Sequence, residues 1–139
     1  MNNIPIIELI PQRAPMVMVG QLVEVGEMFA VTRFIIESGN IFLEGGQFTE
    51  SGMVENIAQT AAAMVGYQCR VENKPVPVGY IAALKNLLVK ERPAVGSTIT
   101  TRVTVTNTVF DVTIVQGVVE QDDTQLCNCE LRILVKQPI

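Results

Sequence analysis

Apolar and β-branched residues fill positions 16–25 (MVMVGQLVEV) and 28–37 (MFAVTRFIIE), with Gly26-Glu27 between them. Two such runs parted by a turn dipeptide predict antiparallel strands joined by a tight hairpin. Alternation is cleanest at 98–106, where Thr98, Thr100, Arg102, Thr104 and Thr106 would face one way and Ile99, Val103 and Val105 the other. The runs FDVTIVQGVVE and LCNCELRILV repeat the theme around the turn signal QDDTQ. In the last of them Cys127, Cys129, Leu131, Ile133 and Val135 share one face, which is expected to point inward. Residues 76–89 (VPVGYIAALKNLLV) are apolar enough for strand or helix; their place between a Pro-rich stop and ERPAVG favours an extended segment.

One stretch breaks this strand-like pattern. After Ser38-Gly39-Asn40 and a loop through Gly45-Gly46, the composition turns to Ala, Met, Gln and Asn. A long helix is predicted over about residues 51–71, with Thr49 or Ser51 as N-cap and Asn73, Pro75 and Pro77 ending it. Its middle, IAQTAAAMVGYQC, is apolar or small on nearly every face, and a helix of that kind is normally enclosed. A short helical turn closed by Pro11 is expected over residues 4–10. The order is then strand, strand, buried helix, four strands. A single antiparallel sheet covers such a helix by curling around it, so the expected class is α+β with the hotdog fold: a curved antiparallel sheet wrapped around one central helix.

Composition adds the expectation of an assembly. The 139 residues suit one domain spanning 1–139, and at 48% hydrophobic and 17% charged the chain has much surface to hide. A homodimer or higher oligomer is the natural outcome. The net charge of -4, without a basic stripe, argues against nucleic acid. The longest uncharged stretch, residues 56–69, falls short of the roughly 20 residues of a spanning helix, so no membrane segment is expected. MNNIPIIELIPQR lacks the basic start of a signal peptide, which leaves the cytoplasm as the default location. The three cysteines are read as reduced core residues. A lone C-x-C in a chain without histidine offers no metal set.

Several motifs are similar to those of a known family. LIPQRAPMVMVGQLVEV (9–25) resembles the N-terminal motif of the 3-hydroxyacyl-[acyl-carrier-protein] dehydratases, in which a P-H-R-x-P-F-L-L-V-D-like string leads into the first strand. GQFTESGMVENIAQTAA resembles their glycine, histidine and helix motif, with a glutamate followed four residues later by Gln, and YIAALKNLLVKERPAVGSTI (80–99) resembles the strand and corner that follow. The pattern around Gln47 and Glu55 is most similar to dehydratase-like hotdog proteins of aryl polyene and related pigment-lipid pathways. The resemblance implies an acyl thioester ligand, carried on the phosphopantetheine of an acyl carrier protein or on coenzyme A, with no other cofactor.

The departures bear on chemistry. Gln47 stands at the family's catalytic histidine, Gln12 at the histidine of the N-terminal motif, and Gly20 at its aspartate. Dehydration of a 3-hydroxyacyl thioester needs one group to take the proton beside the carbonyl and one to protonate the departing hydroxyl; histidine suits this near neutrality. Glutamine neither accepts nor releases a proton at pH 7. What remains is Glu55 as candidate acid or base, with Gln47 and Gln59 as substrate-orienting residues and the N–H groups of Gly52 and Met53 as donors to a thioester carbonyl. Glu55 also has a plain explanation, since acidic residues near a helix start complement its dipole. Gln59 has one too, as a polar group capping backbone inside the fold. Lys85, Lys90 and Arg92 form the densest basic cluster, read either as solvated surface or as a site for the acidic carrier. Phe42, Phe48 and Tyr80 would pack in the core or line an acyl tunnel. Three functional readings stay open: a dehydratase-related acyl-thioester protein with altered or lost activity, a non-catalytic subunit paired with a histidine-bearing paralogue, and a thioesterase using Glu55.

Overall fold

The computed structural model describes residues 4–136, with side-chain surroundings through residue 134. The inward face expected of Val135 therefore lies outside the described side chains. The uncharged stretch forms helix α1, Glu50–Val71. Thr49 is its N-cap, with Oγ1 accepting the Gly52 N–H at 3.3 Å, and Asn73 ends it in the left-handed region at φ 57°. Six strands form one sheet: β1 (Gln21–Val25), β2 (Phe29–Ile35), β5 (Val78–Val89), β6 (Thr98–Val109), β7 (Val112–Gln121) and β8 (Thr124–Lys136). Their order is β1-β2-β6-β7-β8-β5 and every neighbouring pair is antiparallel. One helix packed on a six-stranded antiparallel sheet is the hotdog architecture the pattern predicts.

The alternation in β6 sorts as expected. Ile99, Thr101 and Val103 are buried while Thr98, Thr100, Arg102, Thr104 and Thr106 are exposed. Cys127, Cys129 and Leu131 of β8, two strands along the sheet, are fully buried as well. The helix lies close on the sheet at Gly117, where a Cβ would come within 2.3 Å of Ile57 Cγ2, so a side chain there would lift α1 away. The expected turn at the N-terminus is a short 3-10 helix, Ile6–Glu8.

Two local expectations change. The strand expected from residue 16 starts only at Gln21, because the backbone of residues 16–18 is bonded by helix side chains instead of a neighbouring strand. Gln59 Nε2 donates to Met16 O at 2.8 Å, Met18 N donates to Gln59 Oε1 at 2.7 Å, and Asn56 Nδ2 donates to Met18 O at 2.7 Å. The loop expected through Gly45-Gly46 is a small hairpin, β3 (Leu43–Glu44) with β4 (Gln47–Phe48). Both turn glycines have positive φ, 58° and 75°, as a two-residue hairpin of the mirror-image type requires.

The helix packs chiefly over β6, β2 and β7 and touches β5 and β8 less. β5 ends the sheet, and its apolar side chains are not covered: Tyr80 is 55% exposed, Ile81 44%, Leu84 42% and Leu88 51%. No described helix is long and apolar enough to cross a membrane.

Candidate functional site

Glu55 sits on the second turn of α1, partly buried. Gln59, one turn on and on the same face, donates from Nε2 to Glu55 Oε2 at 2.9 Å. With its bonds to Met16 and Met18, the Gln59 amide has both hydrogens and its oxygen engaged within the chain. It ties the carboxylate to the segment leading into β1. Around it the buried face of α1 is similarly satisfied: Asn56 Oδ1 accepts from Thr101 Oγ1, and Thr60 shares a 2.7 Å hydroxyl contact with Thr32. These bonds fix the roll of the helix and so aim Glu55.

Glu55 stands at the wall of a pocket of about 260 Å³ between the flank of α1 and the edge of the sheet. Ala58, Ala62 and Val65 line it from the helix, Ile133 from β8 and Ile81 from β5. The lining is mostly apolar, with one carboxylate. Small helix residues create the space: larger side chains at positions 58 and 62 would fill it. Gln12 lines the same pocket. In sequence, Gln12 stands out only as the replacement of a motif histidine; the clue to its position is the anchored apolar pair before it, Leu9 and Ile10, both buried.

The other candidates are placed elsewhere. Gln47 is exposed on β4, opposite Glu44 in the hairpin ladder and bridged to Ala94, and is not among the residues lining the Glu55 pocket. The N–H groups of Gly52 and Met53 are used in the helix cap, Gly52 to Thr49 Oγ1 at 3.3 Å and Met53 to Thr49 O at 3.0 Å. The Phe48 ring packs directly against Gly52. Phe48 is fully buried with its ring 5.8 Å from that of Phe34, while Tyr80 lines the pocket. Arg92 is not part of a free basic cluster: it holds Glu50 through two nitrogens, one bond being 2.6 Å, and reaches Glu44 at 3.2 Å. The hydrogen-bonded Arg92 guanidinium keeps the Glu50 carboxyl below the usual carboxylate range.

No curated protein matches the sequence. Among solved structures, the chain superposes on the dehydratase heterocomplex ApeI:P from Xenorhabdus doucetiae with a TM-score of 0.89 at 17% identity, covering 98% of this chain and 92% of that one. The E. coli PaaI protein from the phenylacetic acid degradation operon matches with a TM-score of 0.63 at 11% identity, over 81% and 80% of the two chains. A hypothetical thioesterase with coenzyme A from Streptococcus pneumoniae matches at 0.65 and 7%, over 84% of each. At such identities these likenesses speak for the fold. The sequence itself matches the family described as ApeP-like, ApeP dehydratase, over residues 4–138, and the chain belongs to that family.

Proposed function

We propose that this chain binds an acyl thioester in the pocket beside Glu55 and does not dehydrate it unaided. One observation carries the reading: a carboxylate held by Gln59 at the wall of an apolar pocket, in a chain without a single histidine. An acyl chain would lie along Ala58, Ala62 and Val65, with its thioester toward Glu55. Elimination of the 3-hydroxyl removes a proton from C2 and delivers one to the departing oxygen. Glu55 can serve one of these transfers, while the amides of Gln12 and Gln47 can serve neither. Gln59 acts through Glu55 as a positioning residue. Gln47 is exposed and so open to a substrate or partner approaching the β3–β4 hairpin. The Gly52 and Met53 donors are reassigned to the cap. The acyl group would arrive on the phosphopantetheine of an acyl carrier protein or on coenzyme A.

A second reading is favoured by β5. An edge strand of 12 residues with apolar side chains on both faces is a template for another strand. The pocket opens beside this edge, so a chain docked on β5 would also wall the Glu55 site. The similar structure from Xenorhabdus doucetiae is described as a dehydratase heterocomplex, which supports a different chain as one such partner, in this reading one that brings the missing histidine; a second copy of this chain is the other. In the heteromer this protein would be the non-catalytic subunit, or would lend Glu55 to a shared site.

Hydrogen–deuterium exchange with a non-hydrolysable 3-hydroxyacyl-pantetheine amide tests the binding claim. Slowed exchange in the helix around residues 55–65 and in the first half of β5 is the expected result. Unchanged exchange in both segments at saturating analogue would remove this reading.

A further inference from the structure

Building on the acyl-thioester reading, we infer that Gln12 is a specificity-determining residue of the pocket, accepting a hydrogen bond from a hydroxyl on the bound acyl chain. Among the described residues, Gln12 Oε1 is the buried side-chain oxygen or nitrogen without a hydrogen-bond partner. The other buried polar side chains of the fold are satisfied: Asn56, Gln59, Thr60, Thr32 and Thr101 all bond one another or the backbone. Native interiors rarely leave such an acceptor unmatched, and those that remain commonly belong to sites.

Gln12 is not on a loose segment. Leu9 and Ile10 before it are buried, and Arg13 Nη1 ties the chain down by donating to Ile10 O at 2.8 Å and Gln12 O at 2.7 Å. Neither polar side chain on this stretch of α1 supplies a donor for Oε1. Glu55 as a carboxylate only accepts, and the amide hydrogens of Gln59 are already used. Thr113 and Tyr80 line the pocket with hydroxyls that rotate to donate or accept and so discriminate poorly. The rest of the lining is mainly Ala, Val, Ile and Met. A ligand that matches this wall is an aliphatic chain bearing an O–H donor where it passes Gln12. A saturated chain of equal length would fill the apolar part and leave the Gln12 oxygen unmatched.

The test is calorimetric titration of the full chain, in the assembly it purifies as, with two pantetheine amides of equal length, one 3-hydroxyacyl and one saturated. The wild type should prefer the hydroxylated analogue by roughly ten-fold, the scale of one well-placed hydrogen bond. Gln12→Met, of similar shape and without the amide, should lose that preference and raise the ligand-free melting temperature, since no bond of the side-chain oxygen is sacrificed. Gln12→Asn keeps an amide one methylene back and should lose the preference as well, which secures the comparison if the Met variant folds poorly. A preference that survives both variants would overturn the inference, and so would equal weakening of both analogues, which would assign the donor to the pantetheine amide they share. If neither analogue binds the wild type, the acyl-thioester reading itself falls, and this inference with it.

Discussion

Glu55 and Gln59 lie one turn apart on α1, but their side chains have different freedom. Gln59 is fully buried with its amide spent on Met16, Met18 and Glu55, whereas Glu55 keeps an oxygen for the pocket. Gln59→Ala would strand the buried Met18 N–H, free Met16 O and leave a small cavity, so a loss of about 2–4 kcal/mol in urea unfolding is expected. Gln59→Glu would place a second carboxylate beside Glu55, and ligand affinity should fall even where the fold survives. The four-residue spacing of these two was legible in the sequence, as was the cap at Thr49. The place of Gln47 was not, because a two-residue hairpin anchored by Phe48 N to Pro93 O at 2.8 Å turns that residue away from the pocket. Its Gly-Gly turn is the signal that could have revealed the hairpin. Gln12 enters the pocket by tertiary packing of Leu9 and Ile10, which no local pattern encodes.

Two strands carry predictions at the scale of elements. β5 looked ambiguous in sequence because it is apolar on both faces, and the reason is its position: it ends the sheet beside the pocket with its side chains uncovered. Its register breaks between Ile81 and Ala83 and again between Lys85 and Leu88, where Asn86 takes a φ of 56°, so a docking strand meets a bent edge. Leu84→Lys should leave the fold intact and shift the species seen by light scattering toward monomer; an unchanged mass would remove β5 from the interface. In β8, burial pushes the Cys127 thiol up to about 11 and the Cys129 thiol up to about 12, from 9.0 for an unperturbed thiol. A raised folded pKa means the folded state holds its protons longer than the unfolded one. The contribution is therefore complete below about pH 9 and is lost as pH climbs toward 11 and 12. The melting temperature should fall across that alkaline window, and Cys127→Ala with Cys129→Ala should flatten the decline.

For the whole molecule, the sequence pattern carried the strand order along the chain and the enclosed helix, since both depend on local periodicity and composition. The placing of α1 over β6, β2 and β7 was not legible, and that placing is what leaves the pocket and β5 open on one side. A chain that is 48% hydrophobic with an uncovered apolar edge strand exposes surface of the kind that partner chains cover. On the function proposed above, the lack of histidine makes this a subunit that holds an acyl thioester and depends on another chain for proton transfer. The most direct measurement is turnover of a 3-hydroxyacyl-carrier-protein by the purified protein, following enoyl product and free thiol together, with Glu55→Gln alongside. Neither product is expected from this chain by itself. Enoyl product that disappears in Glu55→Gln would contradict that expectation by showing dehydration without histidine, and thiol release that disappears in the same variant would make the protein a thioesterase.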